Sequence, residues 1–227
     1  MPNSQDRGRE SADPYCLSGE AATDLLRSAP WRRFAVMGDS FAAGVGGPST
    51  GYADVAWPDR VADALRSVQP ELELLNTGQT GQRTRQVRQS QLDRVLAFEP
   101  DLVNVASGGN DLFAPEPDLD AVEAELELVY GALREVGAHV FAFTVTNVFD
   151  AFPALAEFEA RVAALNERTR AVAARHGATL VEMWDHPVRL SPTLMSSDGV
   201  HFSMQGHAVL AAEIIRGLAR SLASARA

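Results

Sequence analysis

Ser40 follows a short apolar run, Phe34–Met37, and precedes Gly44, Gly46 and Gly47, which allow a tight turn. A serine at such a strand-to-loop corner is placed to act as a nucleophile, and equally well to cap a following helix. Near the other end of the chain, Asp198-Gly199-Val200-His201 puts a carboxylate three residues before an imidazole. Folded back, the carboxylate accepts from the ring, fixes its tautomer and stabilises its protonated form; taken alone, the same pair reads as a solvated loop. Acyl transfer also needs donors for an oxyanion. The Asn110 side-chain amide and the backbone N–H groups of Ser40 and Gly78 are candidates, and glycine at 78 permits close backbone approach. The bland readings are an Asx turn at Asn110 and a turn glycine at Gly78.

Positioning these groups requires a scaffold, and the chain between them alternates two kinds of segment. Phe34–Met37, Leu72–Leu75, Leu102–Ala106, Val140–Val145 and Thr179–Trp184 are short, rich in Val, Phe or Leu, and most end in small or polar residues. Buried parallel strands read this way. Between them run amphipathic stretches. One carries Leu119, Val122, Leu126, Val129 and Leu133; another carries Leu155, Phe158, Val162, Leu165 and Val172. Gly137 and Gly177 follow them as C-cap glycines. Further helices are predicted over Pro58–Val68, Thr84–Phe98 and Met204–Leu222, the last capped by Ser203. Five β–α units in succession imply a single three-layer α/β/α domain around a five-stranded parallel sheet. The preferred strand order is flavodoxin-like, 2-1-3-4-5. In such sheets ligands bind outside the carboxyl ends of the strands. The blocks Gly38-Asp39-Ser40, Asn76-Thr77-Gly78 and Gly108-Gly109-Asn110-Asp111 each follow a strand.

Taken together and in order, Gly38-Asp39-Ser40-Phe41, Gly78, Gly108-Gly109-Asn110-Asp111 and Asp198-x-x-His201 resemble the SGNH/GDSL hydrolase family over about residues 32–222. The resemblance implies an esterase in which Ser40 attacks the acyl carbonyl. His201 then serves as base, Asp198 orients it, and Ser40, Gly78 and Asn110 form the oxyanion hole. It implies no metal and no cofactor. Asp39 and Asp111 are expected to support loop geometry, and His207 to be structural. The Gly44-Val45-Gly46 run lacks the third glycine of a dinucleotide loop, and Ala42 rules out a Gly-x-Ser-x-Gly elbow.

The 227 residues carry a formal net charge of −10, which argues against nucleic acid and against electrostatic docking on an anionic membrane. No apolar stretch approaches a membrane span and no signal-peptide segment is visible, so a cytoplasmic location is expected. A lone thiol, Cys16, excludes an internal disulfide. Residues 1–30 read as a flexible N-terminal arm with a short helix near Ala21–Arg27, leaving 31–227 as the hydrolase domain. The expected partner is a small-molecule ester; nothing in the sequence specifies an oligomer. Pocket walls are expected from Ala42–Ala56 with Tyr52 and Trp57, from Asn147–Pro153 with Phe149 and Phe152, and from Leu190–Ser197. Such walls suit an acyl chain or aryl ester of small or medium size, and the resemblance also implies a carbohydrate O-acetyl ester as an option, because the family includes such deacetylases. An acyltransferase with the same triad is the alternative, and a non-catalytic binding module on the same fold a third reading.

Overall fold

The structure, a computed structural model, describes residues 8–224. Its sheet is formed by β1 (Arg33–Gly38), β2 (Glu73–Asn76), β3 (Leu102–Ala106), β4 (His139–Phe143) and β5 (Thr179–Val181). All pairings are parallel and the order is β2-β1-β3-β4-β5, as expected. The central strands β1 and β3 are buried almost throughout, which is why they read as continuous apolar runs rather than as an alternation.

Helices cover both faces. On one side α1 (Gly19–Leu26), α2 (Trp57–Arg66) and α6 (Met204–Ser224) enclose a core that includes Leu26, Trp57, Leu65, Phe141, Val209 and Ile214. On the other, α3 (Thr84–Ala97), α4 (Leu119–Glu135) and α5 (Glu159–His176) pack Val87, Leu126, Leu133, Leu165 and Val172 against the sheet. Ser203 opens α6 as expected. Its carbonyl accepts the His207 N–H at 3.0 Å and its hydroxyl oxygen accepts the Gln205 N–H at 3.2 Å. Gly177 caps α5 at φ +62°.

Three expectations need correction. The stripe from Leu155 to Val172 is not one helix. Pro153–Phe158 is a 3-10 turn and α5 starts at Glu159, because Pro153 directs the chain into a tight first turn. The fourth and fifth strands stop at Phe143 and Val181, short of Val145 and Trp184, and the residues after them turn toward the site. The segment 8–30 is packed rather than free-standing. Glu10 pairs with Arg60 at 2.5 Å, Tyr52 donates to Asp13 at 2.6 Å, and Ala22 and Leu26 lie in the core. Its polar residues have partners far along the chain, which local composition does not reveal. Residues 1–7 of the expected arm lie outside the described residues. No helix among the described residues is long and apolar enough to cross a membrane.

Candidate active site

β1 ends at Gly38, whose φ of +146° swings the chain out of the sheet beside Ala106 of β3. A Cβ at Gly38 would stand 1.9 Å from the Ala106 carbonyl oxygen, so only glycine fits this corner. The Asp39 and Ser40 carbonyls accept the Ala43 and Val45 N–H groups at 3.0 and 2.9 Å, winding the next residues into a turn with Ser40 at its head. Ser40 is 6% exposed.

The Ser40 hydroxyl lies 2.8 Å from His201 Nε2, and His201 Nδ1 lies 2.7 Å from Asp198 Oδ2. The loop that carries this pair is itself built around the carboxylate. Asp198 Oδ1 accepts the Ser196 hydroxyl at 2.6 Å, the Val200 N–H at 2.9 Å and the His201 N–H at 3.0 Å. Partial burial opposes the charge, but these donors and the imidazole outweigh it and hold the carboxyl well below the usual carboxylate range. With a carboxylate at Nδ1, that nitrogen carries the proton and Nε2 is left to accept from Ser40. Ser196, which the sequence reading passed over, also accepts the Gly199 N–H and donates its own N–H to the His201 carbonyl. A serine two residues before an Asx-type turn is a local signal that could have found it.

The candidate oxyanion donors are placed differently from one another. The Ser40 N–H meets no acceptor among the described residues. Asn110 Nδ2 donates to the Gln82 carbonyl at 3.0 Å and, more weakly, to Asp39 Oδ2 at 3.4 Å. The Gly78 N–H is taken up by Asn76 Oδ1 at 2.9 Å, and Gly78 does not line the cavity at Ser40. It does pack on the turn headed by Ser40, where a Cβ would come 2.4 Å from the Ala43 nitrogen. The structure thus gathers Ser40, His201, Asp198 and Asn110 at one sheet edge and sets Gly78 against the back of the same turn.

Two aspartates shape the loops. Asp111 Oδ2 accepts both the N–H and the hydroxyl of Thr84, tying the Asn110 loop to the start of α3. Asp39 Oδ1 accepts the Phe41 N–H at 2.9 Å. Burial pushes the Asp39 carboxyl up to about 6, against the pull of that N–H. Its folded-state pKa thus stands above the ordinary value of 3.8. The stability it contributes is therefore full below that value and lost as the pH rises through about 6. His207 is fully buried, and desolvation lowers its pKa to about 4. As a neutral ring it accepts the Trp57 N–H and donates to the Val45 carbonyl, bracing the loop after Ser40 against α2.

A cavity of about 180 Å³ opens at Ser40 and runs toward α4 and α5. Phe113, Phe149, Phe158, Val162, Leu165 and Met195 are among its walls. Of the expected walls, Val148, Phe149 and Met195 line it. Tyr52 is drawn away by Asp13, Trp57 is buried in the core with its indole N–H on the Phe41 carbonyl, and Phe152 packs against the α2 and α6 side. Leu165 and Val162 were legible only as part of a core stripe; a helix face that lines a cavity has the same periodicity as one that packs solid. Among the described residues no cluster of His, Cys, Asp and Glu is able to hold a metal ion.

A parallel sheet with this strand order and a Ser–His–Asp arrangement at its carboxyl edge defines a hydrolase class. The model of the GDSL-like lipase/acylhydrolase family matches residues 36–209, and the chain belongs to that family. Similar solved structures include a lipase/acylhydrolase from Enterococcus faecalis, with 23% identity, a TM-score of 0.65, and 84% of this chain and 96% of that one covered. Axe2, an acetylxylan esterase from Geobacillus stearothermophilus, has 20% identity and a TM-score of 0.66, covering 82% and 94%. LAE5, an alpha/beta hydrolase from the Lake Arreo metagenome, has 19% identity and a TM-score of 0.66 over the same shares. No curated protein matches the chain.

Proposed function

We propose that the protein is a serine esterase that cleaves carboxylic esters through an acyl-enzyme on Ser40. The observation that carries this reading is the relay from Ser40 through His201 to Asp198, at 2.8 and 2.7 Å, at the mouth of an apolar cavity. Ser40 Oγ attacks the carbonyl carbon as His201 Nε2 takes its proton. The resulting imidazolium is stabilised by Asp198, whose other oxygen is already saturated with donors. The Ser40 N–H and Asn110 Nδ2 receive the oxyanion; the Gly78 N–H, held by Asn76 Oδ1 and outside the cavity, is not among the donors. His201 then protonates the leaving alcohol. Water, activated by the same nitrogen, releases the acid and restores Ser40. Transfer to an alcohol would share the acyl-enzyme and differ only in the acceptor.

The cavity also supports a choice of acyl group. Aromatic and aliphatic walls leave no charged partner for a sugar deep in the pocket but offer a dry slot for a hydrocarbon chain, so a medium-chain acyl group fits better than acetyl. The test is the rate on p-nitrophenyl esters from acetate to decanoate. Each added methylene is expected to raise kcat/KM about fourfold, the equivalent of ~0.8 kcal/mol, until the cavity is full. A profile highest at acetate and falling steadily would contradict the acyl-chain assignment, and inactivity on every ester would contradict the esterase reading.

A further inference from the structure

One side chain outside the relay touches the segments of Ser40 and Gly78 directly and reaches Asn110 through Gln82. Gln91, on α3, is 1% exposed, and all of its carboxamide capacity is used. Its Oε1 accepts the Gly38 N–H and the Thr77 hydroxyl, both at 2.9 Å. Its Nε2 donates to the Gly38 carbonyl at 2.8 Å and to Gln82 Oε1 at 2.7 Å. Gly38 lies two residues before Ser40, Thr77 immediately precedes Gly78, and the Gln82 carbonyl is the acceptor that holds Asn110 Nδ2.

We infer that Gln91 is a positioning residue of the oxyanion hole, locking the Ser40 and Gly78 segments into one register through a single amide and steadying Asn110 through Gln82. This rests on the reading of Ser40 as nucleophile. The site needs this clamp because β1 and β2 separate at their carboxyl ends. Their paired register runs to Val36 and Asn76; beyond it the Gly38 carbonyl still accepts the Gln79 N–H, but the Gly38 N–H is met by Gln91. A side chain thereby completes the sheet at the corner where the nucleophile leaves it. Only an amide has both the acceptor and the two donors this position uses. A glutamate would set a carboxylate oxygen against two other oxygens, and a methionine would leave the buried Gly38 groups without this partner.

The test is the rate at which an alkyl fluorophosphonate labels Ser40, followed by intact mass. The serine oxygen bonds to phosphorus, fluoride leaves, the proton passes to His201, and the phosphoryl oxygen occupies the oxyanion hole. Gln91→Glu and Gln91→Met are expected to lower the limiting first-order constant about 30- to 100-fold, with the half-saturating reagent concentration within about threefold of wild type. Gln82→Met, which removes one limb of the clamp and leaves Gln91 in place, should lower the same constant about three- to tenfold. A merely structural role would change the melting temperature or the fraction of molecules that label, but not the constant for those that do. An unchanged constant in Gln82→Met, or in a folded Gln91 variant, overturns the inference. If the Gln91 variants do not fold, Gln82→Met decides alone. If wild-type Ser40 does not label at all, the nucleophile reading itself fails, and the inference with it.

Discussion

Ser40→Ala and His201→Ala are each expected to lower kcat for ester hydrolysis by on the order of 10⁵- to 10⁶-fold, with the double variant no slower than either single one. Serine without a base is a poor nucleophile, and a base with nothing to deprotonate does no work on the substrate. In the proposed mechanism the two act as one unit through the 2.8 Å contact between Oγ and Nε2, so their losses are expected not to add. What survives is the rate supplied by the oxyanion donors and by binding, about 10³-fold over water. Neither change should disturb the fold. The Asp198 loop keeps its bonds from the Ser196 hydroxyl and from the Val200 and His201 N–H groups in both variants. Steady-state kinetics on a p-nitrophenyl ester, with thermal unfolding as a control, checks this. Losses that multiply in the double variant would mean that Ser40 and His201 act in separate steps.

Gly38→Ala is expected to be the most damaging single methyl in the protein, costing at least about 4 kcal/mol or preventing folding. Two effects coincide at this position. A left-handed φ disfavours any Cβ, and the methyl would drive into the Ala106 carbonyl at 1.9 Å and stand 3.1 Å from the Ala42 side chain. Ala106 is the β3 partner of Gly38 in the last pair of the β1–β3 register, so relief of the clash opens the centre of the sheet. Gly137 separates the two effects. It has φ +80° but nothing within 4 Å of its notional Cβ. Gly137→Ala should therefore cost only the backbone term, about 1–2 kcal/mol. Urea unfolding of both variants measures the difference, and equal costs would show that the contact with β3 does not matter.

The sequence carried the scaffold well because a doubly wound sheet writes itself locally. The run Leu102–Ala106 has the same bounds in the sequence and in the structure, since a strand buried on both faces is apolar at nearly every residue. The alternation of strand and helix implied one parallel sheet, and the order preferred for it, 2-1-3-4-5, is the order observed. The meeting of Ser40 with a pair 158 residues further on was legible only because four short blocks occur in a fixed order; each block alone reads as turn chemistry. Other features depend on contacts that no local pattern records. Gln91 sits in a polar helix and looks like a solvated residue, yet it is buried against the end of β1. Tyr52 and Trp57 have the chemistry of pocket walls, but Asp13 and the core claim them. The packing of residues 8–30 depends on Arg60 and on α6, which lie far along the chain.

The central claim is a covalent acyl-enzyme on Ser40, and a slow leaving group makes it visible. The protein is incubated with a p-nitrophenyl carbamate, whose carbamoyl group leaves serine slowly, then quenched in acid, weighed intact and mapped by peptide. The expected result is one carbamoyl group per chain, on the peptide containing Ser40, with an equal amount of p-nitrophenol released and no labelling of Ser40→Ala. A carbamoyl group on any other residue, or undiminished labelling of Ser40→Ala, would contradict the account.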